Sequence, residues 1–444
     1  METFINRMSH SKGMLNDSIR QWNPWWVDRE SIKHLCGIQR TSLKSLLELA
    51  ALRHIKDITG IRRAGKTTMM YQVISAMISH GTKPKEIAFL NFDDAEINEA
   101  GFDEILDSLD KISPDIKFLF LDEAQEKPGW ERWARTLYDT GKYKQIFVSG
   151  SSSSVLSKDI GRVLTGRHIS FHVLPLSFME YLIFHGWEKF DIEYLENSKS
   201  KILHYQEDYL KNGGFPETML KTDAERKIIL TNIYNDILSR DIAARHNASY
   251  EIAKLVSYHL LSNMTKEFSY RSIATAAGIK PETAEIYTGY LKEAFMVLAL
   301  DFFSFKTKLQ FKQNKKAYCI DNGLRNAVSF RITEDKGKLM ENAVMVELAR
   351  RGSDAYYWKT KDGKEVDFLI KEGLKVKELI QVCFNTSEPQ TKKRELNSLI
   401  EAMDEFKLKT GIVITEDREG EEKTGEKTVR FLPLWKWLLE SPAL

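Results

Sequence analysis

The sequence predicts a multidomain α/β protein whose first large unit is a parallel sheet with helices on both faces. Three observations carry that reading. Thr59 to Thr68 reads T-G-I-R-R-A-G-K-T-T and satisfies G-x-x-x-x-G-K-[ST]. Phe118-Leu119-Phe120-Leu121-Asp122-Glu123 is an apolar run closed by two acids. From about residue 54 to 175, strand-like apolar runs alternate with helical patterns, as parallel βα units do.

In a loop of this pattern successive backbone N–H groups point inward and form an anion nest. Gly60 and Gly65 suit it because the backbone must turn sharply and approach an anion where a Cβ would intrude. The expected ligand is ATP with Mg²⁺. Gly60, Ile61, Arg62, Arg63, Ala64, Gly65, Lys66, Thr67 and Thr68 are the candidate contacts, with Lys66 reaching the β- and γ-phosphates and Thr67 a metal ligand. Ile55 and Ile58 before the loop read as a strand. Met69 to Ile74 after it reads as a helix whose N-terminus faces the phosphates. In the second motif Asp122 is the expected Mg²⁺ ligand and Glu123 the group that polarises the attacking water.

A length of 444 residues suggests about three domains. With 42% hydrophobic and 29% charged residues the chain is rich enough to pack cores. The net charge of +2 says little, because 65 basic and 63 acidic residues nearly cancel, so local clustering matters more. Cys36, Cys319 and Cys383 are far apart and in no metal-ligand spacing, which argues against disulfides and structural zinc and for a reducing cytoplasm. No apolar run approaches the ~20 residues of a membrane span, and the N-terminus lacks a signal-peptide core. A membrane partner is therefore not expected.

Residues 1–50 form a leader in which Trp22, Trp25 and Trp26 are expected to pack on the core formed by 51–175. In that core the runs 87–92, 118–123, 145–149 and 169–174 read as further strands. Ligands of open α/β sheets bind at the carboxyl ends of strands, so Asp122 and Ser149 should share a rim with the glycine-rich loop. Gly60 to Thr67, Leu121-Asp122-Glu123-Ala124-Gln125, Gly150-Ser151-Ser152, Leu164-Thr165-Gly166-Arg167 and Pro175-Leu176-Ser177-Phe178 occur in that order. The series resembles prokaryotic AAA-superfamily P-loop ATPases that carry the C-terminal domain of unknown function 4143. The resemblance implies an AAA-type core and a γ-phosphate sensor at Ser149 or Ser151. Arg167 is an arginine-finger candidate, because stabilising transferred charge needs a planar, always-protonated donor; the alternative is an ordinary ion pair.

Residues 176–250 read as a helical lid or connector around the turn Asn212-Gly213-Gly214-Phe215-Pro216. Residues 251–316 read as a winged helix-turn-helix, with helices either side of Gly278 and a second helix opened by Pro281. The stretch Phe302 to Lys316 is its expected wing. Arg271, Lys306, Lys308 and Lys312 are the candidate DNA-phosphate contacts; the alternative for the lysines is a solvated guard against edge-strand pairing. Glu282 and Glu285 on the would-be recognition helix oppose DNA. Residues 317–444 resemble the PD-(D/E)xK nuclease core. Glu341 and Asp367 match its acids, but the E-x-K positions hold Gln381 and Cys383. A neutral amide is a poor Mg²⁺ ligand and a thiol is no ammonium, so cleavage is not expected unless Lys377 or Lys392 substitutes.

Two functions follow as expectations. One is an ATP-hydrolysing switch that couples nucleotide state to the winged-helix and nuclease-like modules. The other is a nucleotide-gated module that binds DNA or a protein through its C-terminal half with little turnover. Self-association is compatible with either.

Overall fold

Short runs, some nearly all apolar and others mixed, become the first sheet of the computed structural model, which describes residues 13–151, 163–329, 335–384 and 389–440. Strands β1 (Ile55–Thr59), β2 (Ile87–Asn91), β3 (Phe118–Asp122), β4 (Gln145–Gly150) and β5 (His168–His172) lie in the order β2-β3-β4-β1-β5. Every pairing between them is parallel. Both faces are covered, as all-parallel sheets require. Leu119, Leu121, Val148 and Ile55 pack with Leu15 and Ile19 of the leader. Each such fully buried aliphatic side chain stabilises the fold by roughly 2 kcal/mol.

The leader solves a problem the sheet creates. Strand β2 is an edge, and an edge exposes unpaired backbone groups that template aggregation. Asn23 meets Phe89 as a neighbouring strand would. Its amide donates to the Phe89 carbonyl at 2.8 Å and accepts the Phe89 N–H at 2.7 Å. The Trp25 and Trp26 indoles both donate to the Ile87 carbonyl, at 3.3 and 2.7 Å, and Trp22 donates to Asp94 at 2.9 Å.

The chain divides into two compact units, Met1–Val173 and Leu174–Leu444. The second opens with helices, among them Phe178–Phe184, Lys199–Asn212 and Asp223–Asp236. The last runs into a π-helical stretch, Ile237–Ala244. The Gly213-Gly214 turn is then explained by a residue far away in sequence. The Asp321 carboxylate accepts the Gly214 N–H at 2.6 Å and the Leu324 N–H at 2.8 Å. Burial pushes its pKa up to about 6 against these backbone bonds. A Cβ on Gly214 would stand 2.5 Å from the Leu176 carbonyl oxygen, and one on Gly323 2.0 Å from that of Asn212.

Helices Tyr250–Ser262, Tyr270–Ala277 and Pro281–Glu293 accompany a three-stranded antiparallel sheet. Its strands β6 (Glu267–Phe268), β7 (Val297–Leu300) and β8 (Lys315–Cys319) lie in the order β6-β8-β7. Gly278 caps the first short helix in the left-handed conformation, φ 66°, which only glycine adopts without strain. The expected wing is not a ribbon. Phe303 donates its N–H to the Tyr357 carbonyl at 2.7 Å, and Thr307–Lys312 is a short helix. Strand β8 continues three residues beyond 316, so the small sheet extends into the stretch read as the next domain.

The remaining strands are β9 (Asp354–Lys359), β10 (Glu365–Glu372), β11 (Lys375–Cys383), β12 (Thr410–Thr415), β13 (Gly420–Thr424) and β14 (Lys427–Pro433). They form a mixed sheet in the order β13-β14-β12-β11-β10-β9. Helices Lys336–Arg350, Pro389–Phe406 and Leu434–Leu439 complete this α/β region.

Candidate functional site

The glycine-rich loop leaves the carboxyl end of β1 and feeds the helix Lys66–Ser79. Gly60 has φ 152°, and a Cβ there would lie 2.1 Å from the Val173 carbonyl oxygen. Gly65 caps the helix at φ 95°, and Arg63 also lies at positive φ, 68°. Lys66 is 4% exposed, and its ammonium folds back to the carbonyls of Gly60 and Ile61 at 3.1 and 3.2 Å. The loop is braced from the leader. The Arg40 guanidinium donates to the Ala64 carbonyl at 2.9 Å. Gln72, nearly two turns into the helix, accepts the Arg40 N–H at 3.1 Å and donates to the Cys36 and Ile38 carbonyls.

Two carboxylates share the rim. Asp122 closes β3 between two hydroxyls, accepting from Thr67 at 2.8 Å and from Ser149 at 2.5 Å. Burial, then the neighbouring Glu123, pushes its carboxyl up to about 6, against the pull of Ser149, Thr67 and Lys66. Glu123 is a non-glycine residue in the left-handed region, φ 50°, with its N–H on the Ser149 hydroxyl at 3.1 Å. Its carboxylate accepts from the Gln125 amide at 2.5 Å. Thr67 and Asp122 thus present adjacent hard oxygens, the donor type Mg²⁺ selects, beside an anion nest with a buried ammonium. The arrangement suits a metal-bound polyphosphate.

Ser149 is engaged with the Asp122 carboxylate and the Glu123 backbone N–H. Ser151 is buried, and the rest of the serine run, 152–154, lies outside the described residues. Arg167 stands away from the loop. It precedes β5, whose His168 pairs with Ile55 at the amino end of β1. The loop begins at the other end, about 13 Å along the strand. Arg167 instead pairs with Asp139 at 2.7 Å, the ion pair of the alternative reading. In this structure the guanidinium is held in that ion pair, away from its own subunit's loop. Sequence reasoning missed Arg40 and Gln72, which are joined to the loop only by the fold.

A second constellation lies in the other unit, along a cleft of about 1070 Å³. Lys316 of β8, read from sequence as a wing cation, is 3% exposed. Its ammonium meets Glu365 at 2.5 Å, Glu341 at 3.2 Å and Asp367 at 3.5 Å. Tyr318, two residues on and so on the same strand face, donates to Glu341 at 2.7 Å. Burial, then Asp367, pushes the Glu341 carboxyl up to about 8 against Lys316 and Tyr318. Burial opposes charge on Lys316 too, yet Tyr318 and the acids hold its pKa well above that of an ordinary lysine. Gln381 accepts the Asp367 N–H at 3.3 Å and donates to Glu395 at 2.5 Å. Burial pushes the Cys383 thiol up to about 11. Lys377 is exposed and pairs with Glu372 at 3.2 Å, so it does not substitute here; the Lys392 side chain lies outside the described residues.

Of the expected DNA contacts, Arg271, Lys306 and Lys308 are exposed and make no ion pair among the described residues. Lys306 and Lys308 belong to the short helix and its cap rather than to a ribbon; the Lys312 side chain lies outside the described residues. Glu282, Glu285 and Ile286 are also exposed, on the second helix of the pair. Among the described residues no helix is long and apolar enough to cross a membrane.

Residues 52–182 match the family model of an AAA domain. Residues 203–336 match a domain of unknown function, DUF8612, and 336–437 another, DUF4143. The chain is 34% identical over 407 residues to an uncharacterized protein of Methanocaldococcus jannaschii, covering 87% of this chain and 88% of the relative. It is 26% identical over 411 residues to an uncharacterized protein of Haemophilus influenzae, covering 90% and 97%. The Aeropyrum pernix ORC1 protein, solved in complex with DNA, aligns with 68% of this chain and 95% of its own at 10% identity. Its TM-score is 0.30, too low a likeness to bear on function. With a glycine-rich loop, an Asp-Glu strand end, the AAA match and the DUF4143 match in one chain, this protein belongs to the AAA-superfamily ATPases that carry the C-terminal domain of unknown function 4143.

Proposed function

We propose that the protein is a Mg²⁺-dependent ATP-hydrolysing switch whose C-terminal half is the output. The carrying observation is Asp122, buried between the Thr67 and Ser149 hydroxyls at the mouth of the loop that encloses Lys66. Thr67 and Asp122 would hold the metal, which neutralises charge on the phosphates when bound. Lys66 leaves its carbonyls for the β- and γ-phosphates. Glu123 orients and deprotonates the attacking water. Its left-handed backbone supports this role, because strain in a non-glycine residue concentrates where function demands it. Ser149 positions the Asp122 carboxylate and the Glu123 backbone.

In the output half, the helix-turn-helix with its three-stranded sheet is a winged helix, and the mixed sheet is a nuclease-like frame without cleavage activity. A Glu at 381 would face Glu395, the acid that Gln381 now serves as donor. DNA is the favoured partner, held non-specifically through Arg271, Lys306 and Lys308. The exposed Glu282 and Glu285 turn base reading by the second helix against itself. Replacing Arg271, Lys306 and Lys308 together by alanine should flatten the salt dependence of DNA binding by roughly three units of log–log slope. An unchanged slope moves the DNA elsewhere.

The test of the whole reading is ATP turnover by the intact chain with duplex DNA, single-stranded DNA and no DNA in parallel. The expected result is Mg²⁺-dependent turnover that changes with DNA while the DNA stays uncut. Turnover indifferent to DNA in every arm would remove DNA as the partner, and absence of turnover would leave a nucleotide-gated binding module.

A further inference from the structure

We infer that the Lys316 ammonium is the resident cation of the Glu341–Glu365–Asp367 pocket, standing where a nuclease-like frame would hold a divalent metal and so excluding one. The inference rests on the nuclease-like reading of Glu341 and Asp367 and goes beyond it, since that reading accounts only for which groups the site lacks. An ammonium has three donors, and three carboxylates surround this one at 2.5, 3.2 and 3.5 Å. A charge buried to this degree is tolerated only when paired, and the pocket pairs it fully.

Lys316 is also poorly placed to leave. Its backbone lies in the central strand of the small sheet, opposite Glu267 on one side and Leu300 on the other. Its ammonium sits 5.8 Å from the centre of the Tyr357 ring. Lys359 closes the same side, bonded to Glu267 at 2.7 Å and within 3.9 Å of Glu365. A divalent ion between Glu341 and Asp367 would meet the repulsion of an ammonium at contact distance. The same lysine fastens β8, and with it the helix-turn-helix, to the acids of the mixed sheet. The lost E-x-K lysine is thus answered by a lysine from another strand, used as a plug.

The probe is Mn²⁺, titrated calorimetrically into the nucleotide-free full chain and followed by thermal unfolding. Wild type should take up no Mn²⁺ at this pocket at roughly millimolar concentration. Lys316→Gln should melt lower than wild type, then bind Mn²⁺ and regain about 4 °C or more of midpoint. Asp367→Asn in that background should abolish the regain. If Lys316→Gln does not fold, Lys316→Gln with Glu365→Gln removes one charge of each sign and carries the same titration. Mn²⁺ uptake by wild type that Asp367→Asn removes would overturn the inference, because metal and lysine would then coexist. No uptake by any form would overturn it as well, and would locate the failure in the nuclease-like reading. ATP turnover of the same preparations reports separately on the first unit.

Discussion

Glu123→Gln should lower ATP turnover by about a hundredfold or more while leaving ATP affinity unchanged. Glutamine keeps the size of the side chain and an acceptor oxygen but cannot take a proton from water. The backbone position does not depend on the carboxylate, because the Glu123 N–H is held by the Ser149 hydroxyl. Asp122, Thr67 and Lys66 are untouched, so the phosphates and metal keep their contacts. Steady-state phosphate release beside equilibrium binding of a fluorescent ATP analogue checks both halves. Wild-type turnover in Glu123→Gln would remove this residue from the chemistry.

Gly323→Ala should destabilise the C-terminal unit by about 3 kcal/mol, the upper range for forced overpacking. The new Cβ would stand 2.0 Å from the Asn212 carbonyl oxygen and 3.0 Å from an Asp321 oxygen. Neither neighbour can retreat easily. Asn212 ends a helix, and Asp321 is fixed by the Gly214 and Leu324 N–H groups. Thermal unfolding should show a fall of roughly 6 °C or more. Gly289→Ala is the control, a helical glycine with open space around it, and should be neutral or stabilising by up to about 1 kcal/mol. Equal midpoints for the two variants would contradict the close approach at Gly323.

The parts of the molecule legible in sequence are those whose physics is local. The glycine-rich loop is contiguous because one turn and one helix N-terminus make the anion nest. The Asp-Glu strand end and the strands Ile87–Asn91 and Phe118–Asp122 show as apolar runs of the right length. Direction along a strand is also legible: Arg167 comes just before the run that becomes β5, at the amino rim of a parallel sheet. Lys316 was hidden differently. It stands among lysines, and only the alternation of a strand separates its inward side chain from that of Lys315, which pairs with Asp301 at 2.6 Å. Glu365 shares a face with Asp367 by the same alternation. Arg40 and Gln72 carry no local signal, because these partners lie 24 or more residues away; Asp321 caps its own helix locally, but its bond to Gly214 spans 107 residues.

The central claim is that this loop binds ATP for hydrolysis. Single-turnover hydrolysis of ATP by the intact chain in Mg²⁺, wild type beside Lys66→Ala, tests it most directly. Wild type should release phosphate until Mg²⁺ is chelated, and Lys66→Ala should lose about a hundredfold or more of that rate. Equal rates in the two proteins, or release indifferent to Mg²⁺, would contradict it.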